Sequence, residues 1–245
     1  MHKIFDLTGK TILVTGASSG IGKQCAITIS ECGGKLVITG RDKDRLDETF
    51  NSLKGSGHLQ LIADLSKDDE IEKLTDELPI LNGIVHCAGI TAPIPAKFIR
   101  SRHIDEMMRI NYHAPVLVTT RILSKKKLLD YSSIVFFSTI ATKFPYYGGA
   151  LYISSKSALS GFSMVLALEQ APKGIRSNCL LPGFVKTPMY DATEQHASPE
   201  AMKKFEMLHP LGIGTPEDVA GPVCFLLSDA ARWITGINIP LGGSL

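Results

Sequence analysis

The sequence lacks an excess of charge of either sign. Its 245 residues carry 26 Lys and Arg against 24 Asp and Glu, a formal net charge of +2. That balance leaves no electrostatic footprint for nucleic acid or an anionic membrane, and neither partner is expected. The one basic block, Lys125-Lys126-Lys127, falls where a helix should end and reads as compensation of a helix dipole. Cysteine is sparse: five residues, at 25, 32, 87, 179 and 224, with no Cys-x-x-Cys pair. An odd number among apolar neighbours reads as small buried hydrophobes in a reducing compartment, not as a disulfide framework. No metal site is expected. Residues 1–10 hold no apolar signal-peptide core, and no uncharged stretch approaches the length of a membrane span. The expectation is a cytoplasmic protein. Repeats, low-complexity tracts and linkers are also missing, so residues 1–245 are read as a single domain.

What is present is ordinary for a soluble enzyme: 44% hydrophobic and 20% charged residues. Short apolar runs alternate with helical patterns. Strands are expected at 11–15, 36–39, 59–62, 84–86, 134–137, 177–181 and 237–239. Helices are expected after Gly22 to Cys32, and over 43–54, 67–78, 101–110, 114–127 and 149–170. A last helix starts at the cap Thr215-Pro216-Glu217-Asp218. Gly33-Gly34 ends the first helix in the manner of a C-cap. This alternation predicts a doubly wound parallel sheet of about seven strands with helices on both faces. Ligands of such sheets bind at the carboxyl edge, near the point where strand order reverses.

The stretch Thr15-Gly16-Ala17-Ser18-Ser19-Gly20-Ile21-Gly22 joins the first strand to the first helix. Glycine permits a tight turn and close approach of a pyrophosphate. The helix N-terminus adds unpaired N–H groups and the positive end of a dipole. Farther on, Tyr152 and Lys156 are four residues apart on one helix and so share a face. A nearby cation lowers a phenol's pKa and fits it to exchange a proton with a carbonyl or alcohol oxygen. Ser138 and Thr139 end the fifth strand at the functional edge. Side chains alternate along an extended chain, so one of the two should face the site. Asn111 lies between two helical stretches, where it interrupts or caps backbone bonding.

Together these pieces resemble the short-chain dehydrogenase/reductase family in its classical form, over essentially the whole chain. The carriers are Thr15-Gly16-x-x-x-Gly20-x-Gly22, Asp64-Leu65 after strand three and Ala88-Gly89 after strand four. Asn111, Ser138-Thr139, Tyr152-x-x-x-Lys156, Pro182-Gly183 and Thr187 follow in order. The resemblance implies a Rossmann-type fold and residue roles. Gly16, Ser18, Ser19 and Ile21 would surround the cofactor pyrophosphate, and Asp64 and Leu65 would flank the adenine. Cys87, Ala88 and Gly89 would edge the cofactor. Tyr152 would be the general acid or base. Lys156 would bind the nicotinamide ribose and depress the Tyr152 pKa. Ser138 or Thr139 would orient the substrate carbonyl, and Asn111 would hold a proton-relaying water. Pro182, Gly183, Val185 and Thr187 would line the nicotinamide. The resemblance also implies a homodimer or homotetramer, paired through the helices of residues 101–127 and 149–170.

Three departures from the family pattern stand out. His86-Cys87-Ala88-Gly89 replaces the usual Asn-Asn-Ala-Gly, and Thr139 stands where Ser is frequent. Pro240-Leu241-Gly242-Gly243 lacks the acidic residue that often precedes the glycines. None removes a catalytic atom.

Strand two bears on the nucleotide. Its end reads Thr39-Gly40-Arg41. No carboxylate occupies position 40 to accept the ribose hydroxyls, and Arg41 can pair with a 2′-phosphate. NADP(H) is therefore preferred, while Asp42 next to Arg41 leaves NAD(H) open. Residues 187–210 look like a substrate lid carrying Met189, Tyr190, Met202, Phe205 and Met207. The overall pattern looks like 3-oxoacyl-acyl-carrier-protein reductases and their relatives. The expected activity is NADP(H)-dependent interconversion of a carbonyl and a secondary alcohol, on a small-molecule or acyl-carrier-linked substrate. The alternatives are an NAD-dependent alcohol, sugar or polyol dehydrogenase, and a non-catalytic nucleotide-binding regulator. An epimerase or dehydratase of the longer relatives would need a further C-terminal domain.

Overall fold

The computed structural model describes residues 5–194 and 199–242. Seven strands form one parallel sheet in the order β3-β2-β1-β4-β5-β6-β7. They are β1 (Thr11–Thr15), β2 (Lys35–Gly40), β3 (Leu59–Ile62), β4 (Leu81–His86), β5 (Leu128–Phe137), β6 (Arg176–Pro182) and β7 (Asn238–Leu241). The helices are α1 (Gly20–Glu31), α2 (Lys43–Ser52), α3 (Asp68–Glu77), α4 (Ser101–Met108), α5 (Ala114–Ser124) and α6 (Ala150–Gln170). Then come α7 (Pro188–Glu194), α8 (Pro199–Met207) and α9 (Pro216–Leu227). The expected parallel sheet with helices on both faces is the fold found.

The two-residue period of the strands divides the core. Ile12, Val14, Ile38, Val85, Val135 and Leu180 face α1, α2 and α9. Leu13, Val37, Ile84, Ile134 and Cys179 face α3, α5 and α6 on the other side. Helix α1 ends as read, with Gly33 at φ +86° and the Gly34 N–H donating to the Ile29 carbonyl at 3.0 Å. The α9 cap is also as read: the Thr215 N–H donates to Asp218 at 2.7 Å.

Several boundaries differ from the sequence expectation, for identifiable reasons. Strand β5 begins six residues earlier than expected because it carries a bulge: it takes five steps, Leu128 to Ser133, where β4 takes two, Leu81 to Gly83. Tyr131, at φ +61°, lies in that bulge. Helix α5 stops at Ser124 instead of residue 127. The basic block therefore does not serve α5 itself. Lys127 Nζ donates to the Asp76 and Leu78 carbonyls at 2.6 and 2.7 Å, and Lys125 pairs with the Asp76 carboxylate. The dipole being compensated is that of α3. Helix α6, within residues 150–173, is long and apolar enough to cross a membrane by length and composition, although Lys156 and Glu169 interrupt it. Here it lies on β6 with Leu159 and Leu166 in the core. The polar segment after β6 folds into α7 and α8. Its residues 195–198, the Phe205 side chain and Gly243 lie outside the described residues.

Candidate active site

Chain order reverses between β1 and β4, and the two strands end side by side. The glycine turn after β1 meets the loop after β4 there. A Cβ on Gly16 (φ +66°) would lie 2.7 Å from the Ala88 backbone. A Cβ on Gly22 would lie 2.2 Å from the Gly16 carbonyl oxygen. No side chain fits at either position, so the turn packs against the loop backbone to backbone.

The start of α1 is left uncapped. Ser19 is extended and its hydroxyl makes no cap bond, and the first turn carries no acidic residue. Helix α3, by contrast, opens on Asp68, Asp69 and Glu70, and the Thr215–Asp218 box closes α9. The α1 N-terminus presents open N–H groups beside a glycine cradle, which fits an anionic pyrophosphate. The sequence-predicted Ser18, Ser19 and Ile21 belong to this turn. The Ser18 side chain lies 3.3 Å from where a Gly40 Cβ would be, so it stands at the end of β2.

Around that end, Arg41 is exposed one residue beyond β2. Asp42 is committed elsewhere. Its carboxylate accepts from the Arg45 N–H at 3.1 Å and from Arg45 Nε at 2.7 Å, capping α2. The Arg45 side-chain bond, then the backbone bond, hold Asp42 below the usual carboxylate range. Asp64 accepts from the Ser66 N–H at 3.0 Å and from the Ser66 hydroxyl at 2.8 Å. Those bonds, the backbone one first, lower its pKa, and the charges of Lys67 and Arg41 add to them. Leu65 beside it is buried.

The second group of residues converges from β5 and α6. Tyr152 and Lys156 share the buried face of α6, with Lys156 Nζ 6.0 Å from the Tyr152 ring centre. Lys156 Nζ donates to the Phe137 carbonyl at 2.9 Å. Burial lowers its pKa to about 8, against the opposing influence of Cys179 and Cys87. Tyr152 is shifted the opposite way from the sequence expectation. Burial pushes its pKa up, Tyr146 adds to the rise, and a hydrogen bond from Thr139 opposes it. Lys156 is aimed at the Phe137 carbonyl, and the loss of water around the phenol is the leading cause of its shift.

Two adjacent hydroxyls were open candidates, and they diverge in the structure. Ser138 Oγ donates to the Lys156 carbonyl at 3.0 Å and so ties β5 to α6. Thr139 turns toward Tyr152, and its Oγ1 also accepts the Ala141 N–H at 3.2 Å. Asn111 is fully buried in a π-helical turn, Arg109–His113, between α4 and α5. Its amide is spent on the main chain after β4. Oδ1 accepts from the Ile90 N–H at 2.8 Å, and Nδ2 donates to the Ile90 carbonyl at 2.9 Å and to Ser155 Oγ at 3.1 Å. Across Gly89, Asn111 Oδ1 and Lys156 Nζ each lie 3.2 Å from where a Cβ would be.

The third wall follows β6. Pro182 ends the strand, and the Gly183 N–H donates to the Leu241 carbonyl at 3.0 Å. Val185 bridges to Gly214. The Thr187 hydroxyl donates to the Val185 carbonyl at 3.1 Å, and its methyl lies 3.3 Å from where a Gly20 Cβ would be. The three walls enclose a cavity of about 200 Å³, bordered by Ile21, Cys87, Gly89, Thr139, Tyr152 and Lys156 on one side. Phe144, Tyr146, Phe184, Met189, Tyr190 and Leu208 line the other.

A family model described as "Enoyl-(Acyl carrier protein) reductase" matches residues 16–243. The curated 3-oxoacyl-[acyl-carrier-protein] reductase FabG of Rickettsia felis is 34% identical over 243 residues, 99% of each chain. The chain belongs to the short-chain dehydrogenase/reductase family. Human "Dehydrogenase/reductase SDR family member 4" is 32% identical, covering 97% of this chain and 87% of that one. Among solved structures, the angucycline C-6 ketoreductase LanV with bound NADP superposes with a TM-score of 0.88. It is 27% identical and covers 96% of this chain and 95% of that one.

Within this short-chain dehydrogenase/reductase, side chains at the cavity that escaped the sequence reading include Tyr146 and His209. Tyr146 shares a side-chain hydrogen bond with Thr91, and burial raises its pKa. His209 is buried, and its Nε2 accepts the Phe184 N–H at 2.9 Å. The two rings tilt against each other at 5.6 Å. A Cβ on Gly183 would sit 2.2 Å from the same nitrogen, so the glycine makes room for the histidine. No local spacing links residue 209 to residues 183–184. The family departure at His86 proves to be packing. Its Nε2 donates to Thr119 Oγ1 at 2.8 Å, the Thr119 hydroxyl being given to Pro115, and its ring stacks on Phe136 at 4.9 Å. Burial, with the Lys156 charge second, lowers its pKa to about 3, so it stays neutral.

Proposed function

We propose that this enzyme interconverts a ketone and a secondary alcohol with NADP(H), a 3-oxoacyl thioester being the first candidate substrate. The observation that carries the reading is the meeting of the Thr139 hydroxyl, the Tyr152 phenol and the Lys156 ammonium on one cavity beside an uncapped glycine turn. Gly16, Ser18, Ser19 and Ile21 would hold the pyrophosphate, Asp64, Leu65 and Ala88 the adenosine side, and Cys87, Gly89, Pro182, Gly183, Val185 and Thr187 the nicotinamide side. The dinucleotide, when bound, supplies or takes the hydride at the carbonyl carbon.

Tyr152 gives its proton to the substrate oxygen. Burial favours the protonated phenol, which suits it to act as an acid in the reducing direction. Lys156 keeps a positive charge beside it and resupplies the proton. Asn111 fixes the turn at residues 89–90 next to that ammonium, the place assigned to a relaying water. We assign the orienting hydroxyl to Thr139. Thr139→Ala is expected to lower kcat roughly 10²-fold, the scale for removing one oriented donor to a developing oxyanion. Ser138→Ala should instead lower stability by about 1 kcal/mol, the scale of one hydrogen bond, with a far smaller change in kcat. Equal kcat losses for the two variants would overturn the assignment.

The preference for NADP(H) is supported by Arg41 standing exposed beyond β2 while Asp42 is tied to Arg45. The NADP bound to the ketoreductase neighbour points the same way. Arg41→Ala is expected to raise the KM for NADPH roughly 10- to 150-fold, the worth of one charge-assisted contact, with little change for NADH. An equal effect on both cofactors would make Arg41 a plain surface residue. For assembly, Ile104 on α4 and Met164, Val165 and Leu168 on α6 are exposed apolar residues. They support pairing into a homodimer or homotetramer across a two-fold axis. Sedimentation at micromolar concentration should give a dimer or larger, and a monomer would reject this. We take the enzyme to be cytoplasmic.

The substrate assignment draws on the FabG relatives and on the apolar wall of Phe144, Phe184, Met189 and Leu208. The test is a panel of 3-oxoacyl thioesters, small ketones, sugars, polyols and enoyl thioesters with each nicotinamide cofactor, followed by absorbance. Turnover of the 3-oxoacyl thioester with NADPH supports the reading. Turnover of enoyl thioesters alone would replace it with reduction of a carbon–carbon double bond. Nucleotide binding without any turnover would favour the regulator alternative.

A further inference from the structure

The sequence reading took all five cysteines as buried hydrophobes, and the structure separates them. Cys25, Cys179 and Cys224 are buried, whereas Cys32 and Cys87 are half-buried and all five are free thiols. Cys87 borders the active-site cavity. Its side chain also lies under α1: a Cβ on Gly22 would sit 3.1 Å from Cys87 Cβ. One helical turn past Gly22, on the same face of α1, is Cys25. Cys87 packs against the core cluster that holds Cys25. The neighbouring Cys87 raises the Cys25 pKa, and burial raises it further. The second sulfur pair, Cys32 with Cys224, joins the far end of α1 to α9, and neither residue borders the cavity.

We propose that Cys87 and Cys25 form a two-thiol oxidation site in the floor of the cofactor seat, and that closing their disulfide weakens dinucleotide binding. The proposal rests on the cofactor reading above for its second half only. The oxidant is a peroxide small enough to enter the cavity. Cys87, the half-buried partner that borders the cavity, attacks one peroxide oxygen. The O–O bond breaks, and Cys87 becomes a sulfenic acid while the other oxygen leaves as water. The Cys25 sulfur then attacks the Cys87 sulfur. The S–S bond forms, the S–O bond breaks, and the second oxygen leaves as water with the Cys25 proton. Two thiols have lost two electrons to one peroxide. Cys25, on the face of α1 beneath which Cys87 packs, supplies the resolving thiol, and its burial and raised pKa make this second step the slow one.

The coupling to binding follows from packing. A disulfide fixes the separation and twist of its two Cβ atoms. Here one Cβ belongs to α1, whose N-terminus is the phosphate seat. The other belongs to the loop whose next residue, Ala88, already touches Gly16 without space for a methyl group. Any adjustment between α1 and that loop displaces the turn between them. The expected loss in NADPH affinity is roughly tenfold or more, the scale of losing one charge-assisted bond to a phosphate.

The test treats the cofactor-free protein with hydrogen peroxide and counts thiols. It then maps peptides after trypsin and a glutamate-specific protease, which cuts at Glu31 and so separates Cys25 from Cys32. The expected result is loss of two thiols, a peptide containing Cys25 joined to one containing Cys87, and recovery of both thiols with dithiothreitol. NADPH fluorescence titration should show weaker binding to the oxidised protein, restored on reduction, and NADPH added beforehand should protect Cys87. In Cys25→Ala, oxidation should stop at a sulfenic acid on Cys87, trapped by dimedone. A Cys87 thiol that survives peroxide in protein able to bind NADPH, or linkage of Cys32 to Cys224 alone, would overturn the site. A Cys25–Cys87 disulfide that binds NADPH unchanged would overturn the coupling. Reduced protein that binds no NADPH would overturn the cofactor reading and with it the coupling, while the peptide map would still judge the thiol pair.

Discussion

Tyr152→Phe is expected to lower turnover roughly 10²- to 10⁴-fold, the range for losing a positioned general acid. The substitution removes one oxygen and nothing else. Tyr152 Oη shares its bond with Thr139, and the ring keeps its packing on the Lys156 side of the cavity. NADPH affinity should therefore hold within a few-fold of wild type, read by fluorescence titration. Turnover near the wild-type rate would remove Tyr152 from the mechanism. The pH dependence adds a second check. In the reducing direction the phenol must hold its proton and Lys156 its charge. Burial favours the protonated phenol, and Lys156 titrates at about 8. Below that pH both groups are in the required form, so kcat/KM for ketone reduction should be flat. It should fall as pH rises through about 8 and Lys156 loses its proton. A reduction rate that climbs through this window would contradict the assigned roles.

Gly22→Ala is expected to be the most damaging change outside the catalytic side chains. The new Cβ would lie 2.2 Å from the Gly16 carbonyl oxygen and 2.8 Å from its carbon. Both are backbone atoms of a turn that itself touches the Ala88 backbone, so no flexible side chain can yield. Overpacking of this kind costs about 1–3 kcal/mol of stability. The displaced atoms also belong to the phosphate seat, so NADPH affinity should fall by more than roughly tenfold, the equivalent of one charged contact. Thermal unfolding and nucleotide titration measure the two effects separately. A variant with wild-type Tm and wild-type NADPH affinity would show that the turn has slack the structure lacks. Gly221, in α9 with nothing near its missing Cβ, is the control, and Gly221→Ala should be harmless.

Much of this was legible because the determinants are local. The strand–glycine–helix turn at residues 15–22, the Gly33-Gly34 helix stop and the Thr215–Asp218 cap each depend on a handful of neighbours, and the structure forms each of them. The bulge in β5 was not legible, because Leu128 to Ser133 are placed by their register against β4, not by their own pattern. The same is true of the lysine block, whose partners Asp76 and Leu78 lie some fifty residues earlier in the chain.

The sequence by itself determined the parallel sheet, its strand count and the residue types available at its carboxyl edge. Hydrophobic period, glycine and capping chemistry act within a few residues, and a reader needs no third dimension to see them. Only the tertiary structure decided how those residues are used. It turned Ser138 onto the Lys156 carbonyl and Thr139 onto Tyr152, although the two are adjacent in sequence. It tied Asp42 to Arg45, made burial the leading cause of the Tyr152 shift, and brought His209 onto Phe184 and Cys87 under α1. Each of these depends on which way a side chain points and how much water is left around it. Direction and dehydration come from elements that meet across the sheet, and no spacing along the chain encodes them.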